Sequence, residues 1–224
     1  MSAVAKLFVA SRPISWVNTA FPFGAAYFFS TGAIDWVFWL GSFFFLIPYN
    51  LLMYGVNDVF DYESDLRNPR KGSIEGAVLH PKWHAPTLWV SFLLPVPFLI
   101  YLFAQGNALA SGLTALFVFT VIAYSAKGLR FKEIPLLDSI TSASHFVGPT
   151  IVGLAFAGVD LRTGTSLKLI AAFTLWGMAS HAFGAVQDIK ADREGKLASI
   201  ATAFGAKETV RFALMAYFFA GAIL

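Results

Sequence analysis

Residues 34–65 read IDWVFWLGSFFFLIPYNLLMYGVNDVFDYESD, a long apolar run that ends in a series of acids. The apolar part, residues 34–56, is close to the roughly 20 residues that a membrane-spanning helix needs. In the polar end, Asn57, Asp61 and Asp65 recur every four residues, so they share one face of a helix. The stretch therefore predicts a membrane helix that carries a row of oxygen-bearing side chains at its end.

A second acidic row lies far along the chain, in the sequence QDIKADRE at residues 187–194. Its two aspartates are also four residues apart, and like charges at this spacing repel each other unless a cation joins them. Magnesium takes oxygen ligands and is usually held by one or two carboxylates together with substrate phosphates. The two rows predict a metal-diphosphate site at a membrane surface, with the metal ligands Asn57, Asp61, Asp65, Asp188 and Asp192.

The composition of the chain is that of an integral membrane protein: 57% of residues are hydrophobic, 17% aromatic and only 13% charged. The mean hydropathy of +0.66 agrees with this class. We therefore expect an all-α membrane protein, a single integral-membrane domain over residues 1–224. The seven predicted spans lie near residues 13–31, 34–56, 85–105, 107–125, 134–158, 165–187 and 208–224.

The basic residues predict the orientation of these spans. If the N-terminus is cytoplasmic and the spans alternate, 14 of the 16 Lys and Arg residues fall on the cytoplasmic side. Only Arg162 and Lys168 fall outside, which satisfies the positive-inside rule. The same orientation places both acidic rows in the cytoplasm, where a diphosphate substrate could reach them.

Charge and cysteine content exclude several classes of function. The net charge of +3 is modest and the basic residues are clustered in loops, so we expect lipid headgroups and no nucleic acid as partners. The chain has no cysteine, which excludes disulfides, thiolate metal sites and a cysteine nucleophile. The connections that carry the acids also carry Lys and Arg, which bind phosphate oxygens.

Three motifs resemble the UbiA-type intramembrane prenyltransferases. They are the NxxxDxxxD run from Asn57 to Asp65, the YS...LRFK...P...D connection from Tyr124 to Asp138, and DIKADRE at residues 188–194. The resemblance runs along the whole chain. Within the family, NDVFDYESDLRNPRKGSIEGAVL and QDIKADREGKLASIATAFGA are most similar to the lycopene elongases, which add five-carbon units to a forty-carbon polyene.

The resemblance implies a magnesium-dependent transfer of a dimethylallyl group from its diphosphate to lycopene, in carotenoid biosynthesis in a prokaryotic cell membrane. It implies catalytic roles for Asp61, Asp188 and Tyr124. A ring face of Tyr124 or Tyr54 would stabilise the allyl cation in an apolar cavity. The implied diphosphate-binding residues are Lys127, Arg130, Lys132, Arg67 and Arg70.

The resemblance also implies a nine-helix bundle with a cytoplasm-facing active-site cavity, whereas seven spans are visible. The sequence ends in RFALMAYFFAGAIL without a polar flank, so either the last helix ends flush with the membrane or the chain is truncated at its C-terminus. The smaller number of spans favours truncation. Many relatives carry a polar residue one turn before the second acidic row, where this chain has Gly184, so the second row could hold metal through fewer ligands.

Other functions remain open from the residues. Prenyl transfer to a quinone precursor, a tetrapyrrole or a glycerol lipid uses the same donor chemistry. These acceptors carry polar groups, whereas lycopene has none. A transporter would place its charges near mid-membrane, and a membrane scaffold gives no reason for paired acidic rows. Asp138 fits helix capping as well as catalysis. His145 fits a cavity wall, a proton carrier or a bond between helices.

Overall fold

A computed structural model describes residues 3–66 and 78–224. Within these ranges the regular structure is entirely helical, which confirms the predicted fold class of a helical membrane bundle. The α-helices are α1 (Ala3–Ala10), α2 (Val17–Thr31), α3 (Trp36–Leu46), α4 (Pro48–Asn50), α5 (Val56–Phe60), α6 (Tyr62–Asp65), α7 (His84–Leu93), α8 (Val96–Gln105), α9 (Ala108–Ser125), α10 (Leu137–Phe156), α11 (Gly164–Glu194) and α12 (Ile200–Ile223).

Each of the seven predicted spans coincides with helical structure. Four helical segments of the described chain are long and apolar enough to cross a membrane: Trp36–Phe60, Pro81–Gln105, Ala108–Ser125 and Gly164–Glu194. The other three predicted spans correspond to α2, α10 and α12, which fall short of that length or hydropathy. Seven crossings therefore stay a prediction, while a bundle of apolar helices is established.

Helix α10 is the central element of the bundle, because it packs against α2, α9 and α11. Small residues allow these close approaches. A Cβ atom added at Gly153 would lie 2.7 Å from the carbonyl oxygen of Phe23 on α2, and one at Gly177 on α11 would lie 2.9 Å from the Cβ of Ala143. Small residues at helix interfaces are typical of membrane bundles, where close van der Waals packing replaces the hydrophobic effect.

Large apolar side chains occupy both the interior and the outer surface of the bundle. Phe23, Phe44 and Tyr49 are completely buried in the main core. Phe29 and Trp36, by contrast, are 82% and 71% exposed. An outer surface of exposed aromatic groups has a favourable environment in lipid, as the predicted membrane location requires.

The helix that carries the first acidic row is interrupted twice. A π-helical turn occupies Leu51–Gly55, and the helix breaks again at Asp61, where φ is −101° and ψ is 3°. The expectation that Asn57, Asp61 and Asp65 lie on one continuous helix is therefore wrong. The break lies where the apolar stretch gives way to polar residues, and π turns of this kind are frequent at functional sites.

The second acidic row lies on an uninterrupted helix, α11, whose last turn leads into α12. Ser199 caps α12 through the reciprocal bonds of a capping box with Thr202. The backbone of α12 then kinks at Gly205, where φ is +80°, a conformation that glycine adopts without steric cost. The short segment between α11 and α12 thereby lies against the end of the second row.

Candidate active site

A cavity of about 380 Å³ lies between the two acidic rows. Its walls come from α5 and α6, the end of α9, the 3-10 turn Phe131–Glu133, and helices α10 and α11. The structure brings all five predicted metal ligands to this cavity: Asn57, Asp61, Asp65, Asp188 and Asp192. The rows are more than 100 residues apart in sequence, so only the packing of the bundle places them in one site.

Hydrogen bonds orient the first row. The side-chain nitrogen of Asn57 donates to Asp61 Oδ2 at 2.7 Å and to Ser125 Oγ at 2.9 Å. Because the nitrogen makes both bonds, the amide oxygen is the atom of Asn57 that could bind a cation. Asp61 and Asp65 are both buried, at 9% and 6% exposure.

Two cations of the connection between α9 and α10 meet the first row. Lys132 pairs with Asp61 Oδ2, and Arg130 Nη2 lies 3.5 Å from Asp61 Oδ1. Arg130 also donates from Nε to Glu133 at 2.6 Å. Burial lowers the pKa of Lys132, and the nearby Asp61 carboxylate partly offsets that effect. An anion that entered the cavity would meet a desolvated cation, which is where charge pairing is strongest.

Lys127, a further predicted diphosphate-binding residue, is not in this wall. It is exposed on the turn that follows α9. Arg67 and Arg70 lie outside the described residues. Of the five cations predicted for the diphosphate, the structure places Lys132 in the cavity wall and Arg130 against Asp61.

The second row lies across the cavity from the first. Asp192 Oδ2 accepts a hydrogen bond from Ser199 Oγ at 3.2 Å, which links the row to the cap of α12. Gly184, one turn before Asp188, also lines the cavity, and an added Cβ there would meet nothing within 4 Å. The space of a further side chain is thus left open beside the second row.

The donor groups of the cavity suit magnesium. The candidate ligands are all oxygen atoms, which this hard cation prefers over nitrogen and sulfur. Within residues 3–66 and 78–224, no three acidic or histidine side chains are grouped closely enough to hold a metal without other ligands. The residues fit an ion that takes part of its coordination shell from diphosphate oxygens, as magnesium commonly does.

The inner wall of the cavity contains Tyr124, the third predicted catalytic residue. Its hydroxyl lies 3.3 Å from His181 Nε2, and its ring packs edge-on against His145 at a centroid distance of 5.1 Å. Asp138 lies behind this wall with no exposure and accepts the backbone N–H of Ile200 at 2.6 Å. Asp138 therefore caps α12. Capping was one of the two roles that the sequence left open for Asp138, but the capped helix is α12 and not α10, to which Asp138 belongs.

Sequence reasoning missed Arg12, which also lines the cavity. Its Nη2 atom lies 2.9 Å from Asp58 Oδ1, and its guanidinium carbon lies 4.2 Å from the centre of the Tyr54 ring. Asp58 is completely buried. The sequence feature that could have pointed to Arg12 is its position as a lone basic residue next to Pro13, at the start of an apolar stretch.

A second cavity of about 340 Å³ adjoins the first between α2, α10 and α11. Its wall is mostly apolar and includes Phe21, Phe173 and Trp176. The two cavities share part of their walls, so a polar compartment with acids and cations lies directly beside an apolar one. The shared residues are Ser142, Phe146, Ser180 and His181.

A helical membrane bundle with acids on both sides of one cavity is an architecture that suits an intramembrane enzyme. The model of the UbiA prenyltransferase family matches residues 19–224, and the chain belongs to this family. The sequence resemblance to that family is therefore confirmed.

Similar proteins include carotenoid biosynthesis proteins. The chain is 59% identical over 218 residues to the C(50) beta-cyclic carotenoids biosynthesis protein LbtBC of Dietzia sp. (strain CQ4), covering 97% of the chain and 50% of that protein. It is 50% identical over 224 residues to the lycopene elongase/hydratase of Corynebacterium glutamicum, covering 100% of the chain and 78% of that protein. The chain thus spans half the length of the Dietzia relative.

Solved structures of UbiA homologues share the fold. A homologue from Archaeoglobus fulgidus bound to GPP and Mg²⁺ superposes with a TM-score of 0.77 at 17% identity, covering 97% of this chain and 76% of that one. The same homologue bound to DMAPP and Mg²⁺ gives a TM-score of 0.72 at 21% identity, covering 97% and 74%. At these identities the likeness establishes the fold.

Proposed function

We propose that the protein is a magnesium-dependent prenyltransferase that transfers a dimethylallyl group from dimethylallyl diphosphate to lycopene in carotenoid biosynthesis. The observation that carries the proposal is that two cavities share a wall, one of them lined by acids and cations and the other mostly apolar. A diphosphate headgroup suits the first, and a polyene without polar groups suits the second. The names of the Corynebacterium and Dietzia relatives support lycopene as the acceptor.

In this proposal the two acidic rows hold the donor through magnesium. Asn57, Asp61 and Asp65 would bind from one wall, and Asp188 and Asp192 from the other. When bound, magnesium supplies positive charge to the diphosphate oxygens and so favours departure of the diphosphate. Lys132 and Arg130, which both meet Asp61, and Arg12, which lines the same cavity, would bind the remaining phosphate oxygens as negative charge develops on them.

The allyl cation left behind must be shielded from water and stabilised. The apolar cavity excludes water, and the ring of Tyr124 could stabilise the cation by roughly 0.5–2 kcal/mol. Tyr54 is the weaker candidate, because its ring already stacks on the guanidinium group of Arg12. The terminal double bond of lycopene would then attack the cation, forming the new carbon to carbon bond.

The proposal places the whole described chain in one integral-membrane domain of a prokaryotic cell membrane, with the N-terminus and the diphosphate cavity on the cytoplasmic side. The distribution of Lys and Arg supports this orientation. Relatives from Dietzia, Corynebacterium and Haloferax support a prokaryotic membrane. Cytosolic dimethylallyl diphosphate would enter directly, while lycopene would enter from the bilayer.

An assay with a panel of acceptors tests the proposal. Membranes that contain the full-length protein should convert lycopene and dimethylallyl diphosphate, with magnesium, into longer carotenoids, and a chelator should stop the reaction until magnesium is restored. Turnover with an aromatic acid but not with lycopene would overturn the carotenoid assignment in favour of the quinone branch.

Substitution of the acids tests the site. Asp61→Ala and Asp188→Ala should each lower the rate about a hundredfold or more, because each removes charge that supports the departing diphosphate. Asp160→Ala is the matched control: Asp160 is an exposed acid outside the cavity, paired with Arg162, and its variant should react normally. Wild-type rates in either cavity variant, at equal protein in the membrane, would refute the assigned site.

A further inference from the structure

We propose that His181 is the base that removes the proton from the elongated acceptor, in the last step of the reaction. The inference rests on the proposed function and concerns the one step of it that has no assigned residue. His181 contacts both sides of the inner wall: its Nε2 atom lies 3.3 Å from the Tyr124 hydroxyl and its Nδ1 atom lies 3.1 Å from Ser139 Oγ.

Asp138 sets the direction of these hydrogen bonds. Its two carboxylate oxygens accept backbone N–H groups, from Ser139 at 2.7 Å and from Ile200 at 2.6 Å. The Ser139 hydroxyl, 3.3 Å from Asp138 Oδ1, donates its single proton to this acceptor. Ser139 Oγ can then only accept from His181, and this network assigns the His181 proton to Nδ1.

This arrangement leaves a lone pair on His181 Nε2. The Tyr124 hydroxyl donates to that lone pair across a long contact of 3.3 Å, which a stronger partner could replace. On the other side, the Asp138 carboxylate would stabilise the positive charge that His181 acquires when it takes a proton. A histidine whose one nitrogen bonds to a hydroxyl that is itself bonded to a carboxylate has its other nitrogen free to act as a general base.

The position of His181 also fits the step. It belongs to the wall shared by the diphosphate cavity and the apolar cavity. The new carbon to carbon bond must form at this boundary, because the donor carbon comes from one cavity and the acceptor double bond from the other. The cation created next to the new bond therefore forms close to His181.

The donor carbon to oxygen bond breaks and its electron pair leaves with the diphosphate. The π electrons of the acceptor double bond form the new carbon to carbon bond, which leaves a tertiary cation on the acceptor. A carbon to hydrogen bond next to that cation then supplies its electrons to a new double bond, and the proton passes to His181 Nε2.

His145 is the competing histidine, because it is 3% exposed and its Nε2 atom has no hydrogen-bond partner within the described chain. Of the two cavities it lines only the one for the diphosphate, and no carboxylate within residues 3–66 and 78–224 pairs with its ring. A proton taken there would create a buried positive charge that no carboxylate of the described residues balances. The link to Asp138 through Ser139 favours His181.

The test uses His181→Gln in the full-length protein, because glutamine keeps a polar amide of similar size and cannot act as the base. Lycopene products and released diphosphate are measured together. We expect diphosphate release to continue, while the yield of elongated alkene per diphosphate falls at least tenfold in favour of alcohols formed by water capture. His80→Gln, an exposed histidine outside both cavities, is the control and should leave this ratio unchanged.

Ser139→Ala provides a second test that leaves His181 in place. If the His181→Gln protein is absent from the membrane, Ser139→Ala alone tests whether His181 is the base. It should shift the same product ratio in the same direction by a smaller factor. An unchanged ratio of alkene to alcohol in either membrane-inserted variant, or a shift found in His145→Gln but not in His181→Gln, would overturn the inference. Failure of the wild type to elongate lycopene at all would instead overturn the proposed function.

Discussion

Lys132 and Lys127 belong to one connection, yet their surroundings are opposite. Lys132 pairs with Asp61 in the cavity wall, and Lys127 is exposed on the turn after α9. The sequence predicted both for the diphosphate, because both lie in the basic connection and either could reach a nearby anion. Burial distinguishes them, and burial depends on how the turn packs against the rest of the bundle.

A comparison of Lys132→Met with Lys127→Met measures this difference. Lys132→Met should raise the KM for dimethylallyl diphosphate tenfold or more, about 1.4 kcal/mol, because it removes a desolvated cation from the phosphate side of the cavity. The same change at Lys127 should alter KM less than twofold, since solvent screens an exposed charge. Steady-state kinetics with the donor varied provide the measurement, and equal effects in the two variants would contradict the structural assignment.

Spacing along the chain could predict the acids but not their partners. Residues four apart on a helix share a face wherever the helix lies, so Asp188 and Asp192 were predictable from the sequence. Arg12 meets Asp58 across 46 residues, and Tyr124 meets His181 across 57. Such pairs form only when separate helices pack together, and no local pattern encodes them.

The boundaries of the elements show which signals the sequence carries. The prediction of residues 107–125 agrees closely with α9, because apolar side chains fill that helix from end to end. Helix α11 continues beyond its predicted end at residue 187, since its last turns are polar and still helical. Helix α12 begins at Ile200, well before the predicted residue 208, because the Ser199 cap starts it and hydropathy does not report caps.

The interface between α10 and α2 provides a prediction at the scale of elements. Gly153→Ala should destabilise the protein by about 1–3 kcal/mol, because the added methyl group would lie 2.7 Å from the backbone oxygen of Phe23 and would force the helices apart. Thermal unfolding in detergent, followed by the loss of helical circular dichroism, measures the change.

Gly112→Ala is the matched control for this helix interface. Gly112 lies inside α9, and an added Cβ there meets nothing within 4 Å. The substitution should be neutral or stabilising by up to about 1 kcal/mol, because alanine favours the helix over glycine. If both alanine variants unfold at the same temperature, the close approach of α10 and α2 does not contribute to stability.

At the scale of the whole molecule, composition and motif order were sufficient to predict a helical bundle of the UbiA type. Hydropathy predicts the helices of such proteins well, because every backbone polar group in lipid must be hydrogen-bonded within a helix or a barrel. The sequence could not predict the breaks at Leu51–Gly55 and Asp61, since membrane helices tolerate residues such as Pro48 and Gly55 without breaking, and no proline or glycine lies beside Asp61. These breaks shape the wall of the cavity, so its geometry depended on the folded chain.

The orientation of the bundle can be tested directly, because the chain has no cysteine and a single introduced cysteine would be its only thiol. Lys127 and Arg162 are both exposed and lie in different connections, before α10 and before α11. If the basic residues set the orientation, Lys127→Cys faces the cytoplasm and Arg162→Cys faces the outside. In intact cells, a membrane-impermeant maleimide should therefore label Arg162→Cys and not Lys127→Cys.

Broken cells provide the control, since both cysteines should then react. The Arg162 pair with Asp160 is a contact between exposed side chains, so its loss should cost little and leave insertion unaffected. Labelling of Lys127→Cys alone in intact cells would invert the bundle and place the acidic cavity outside, away from cytosolic diphosphates. Because the donor could then not reach the cavity, the same result would also count against the proposed function.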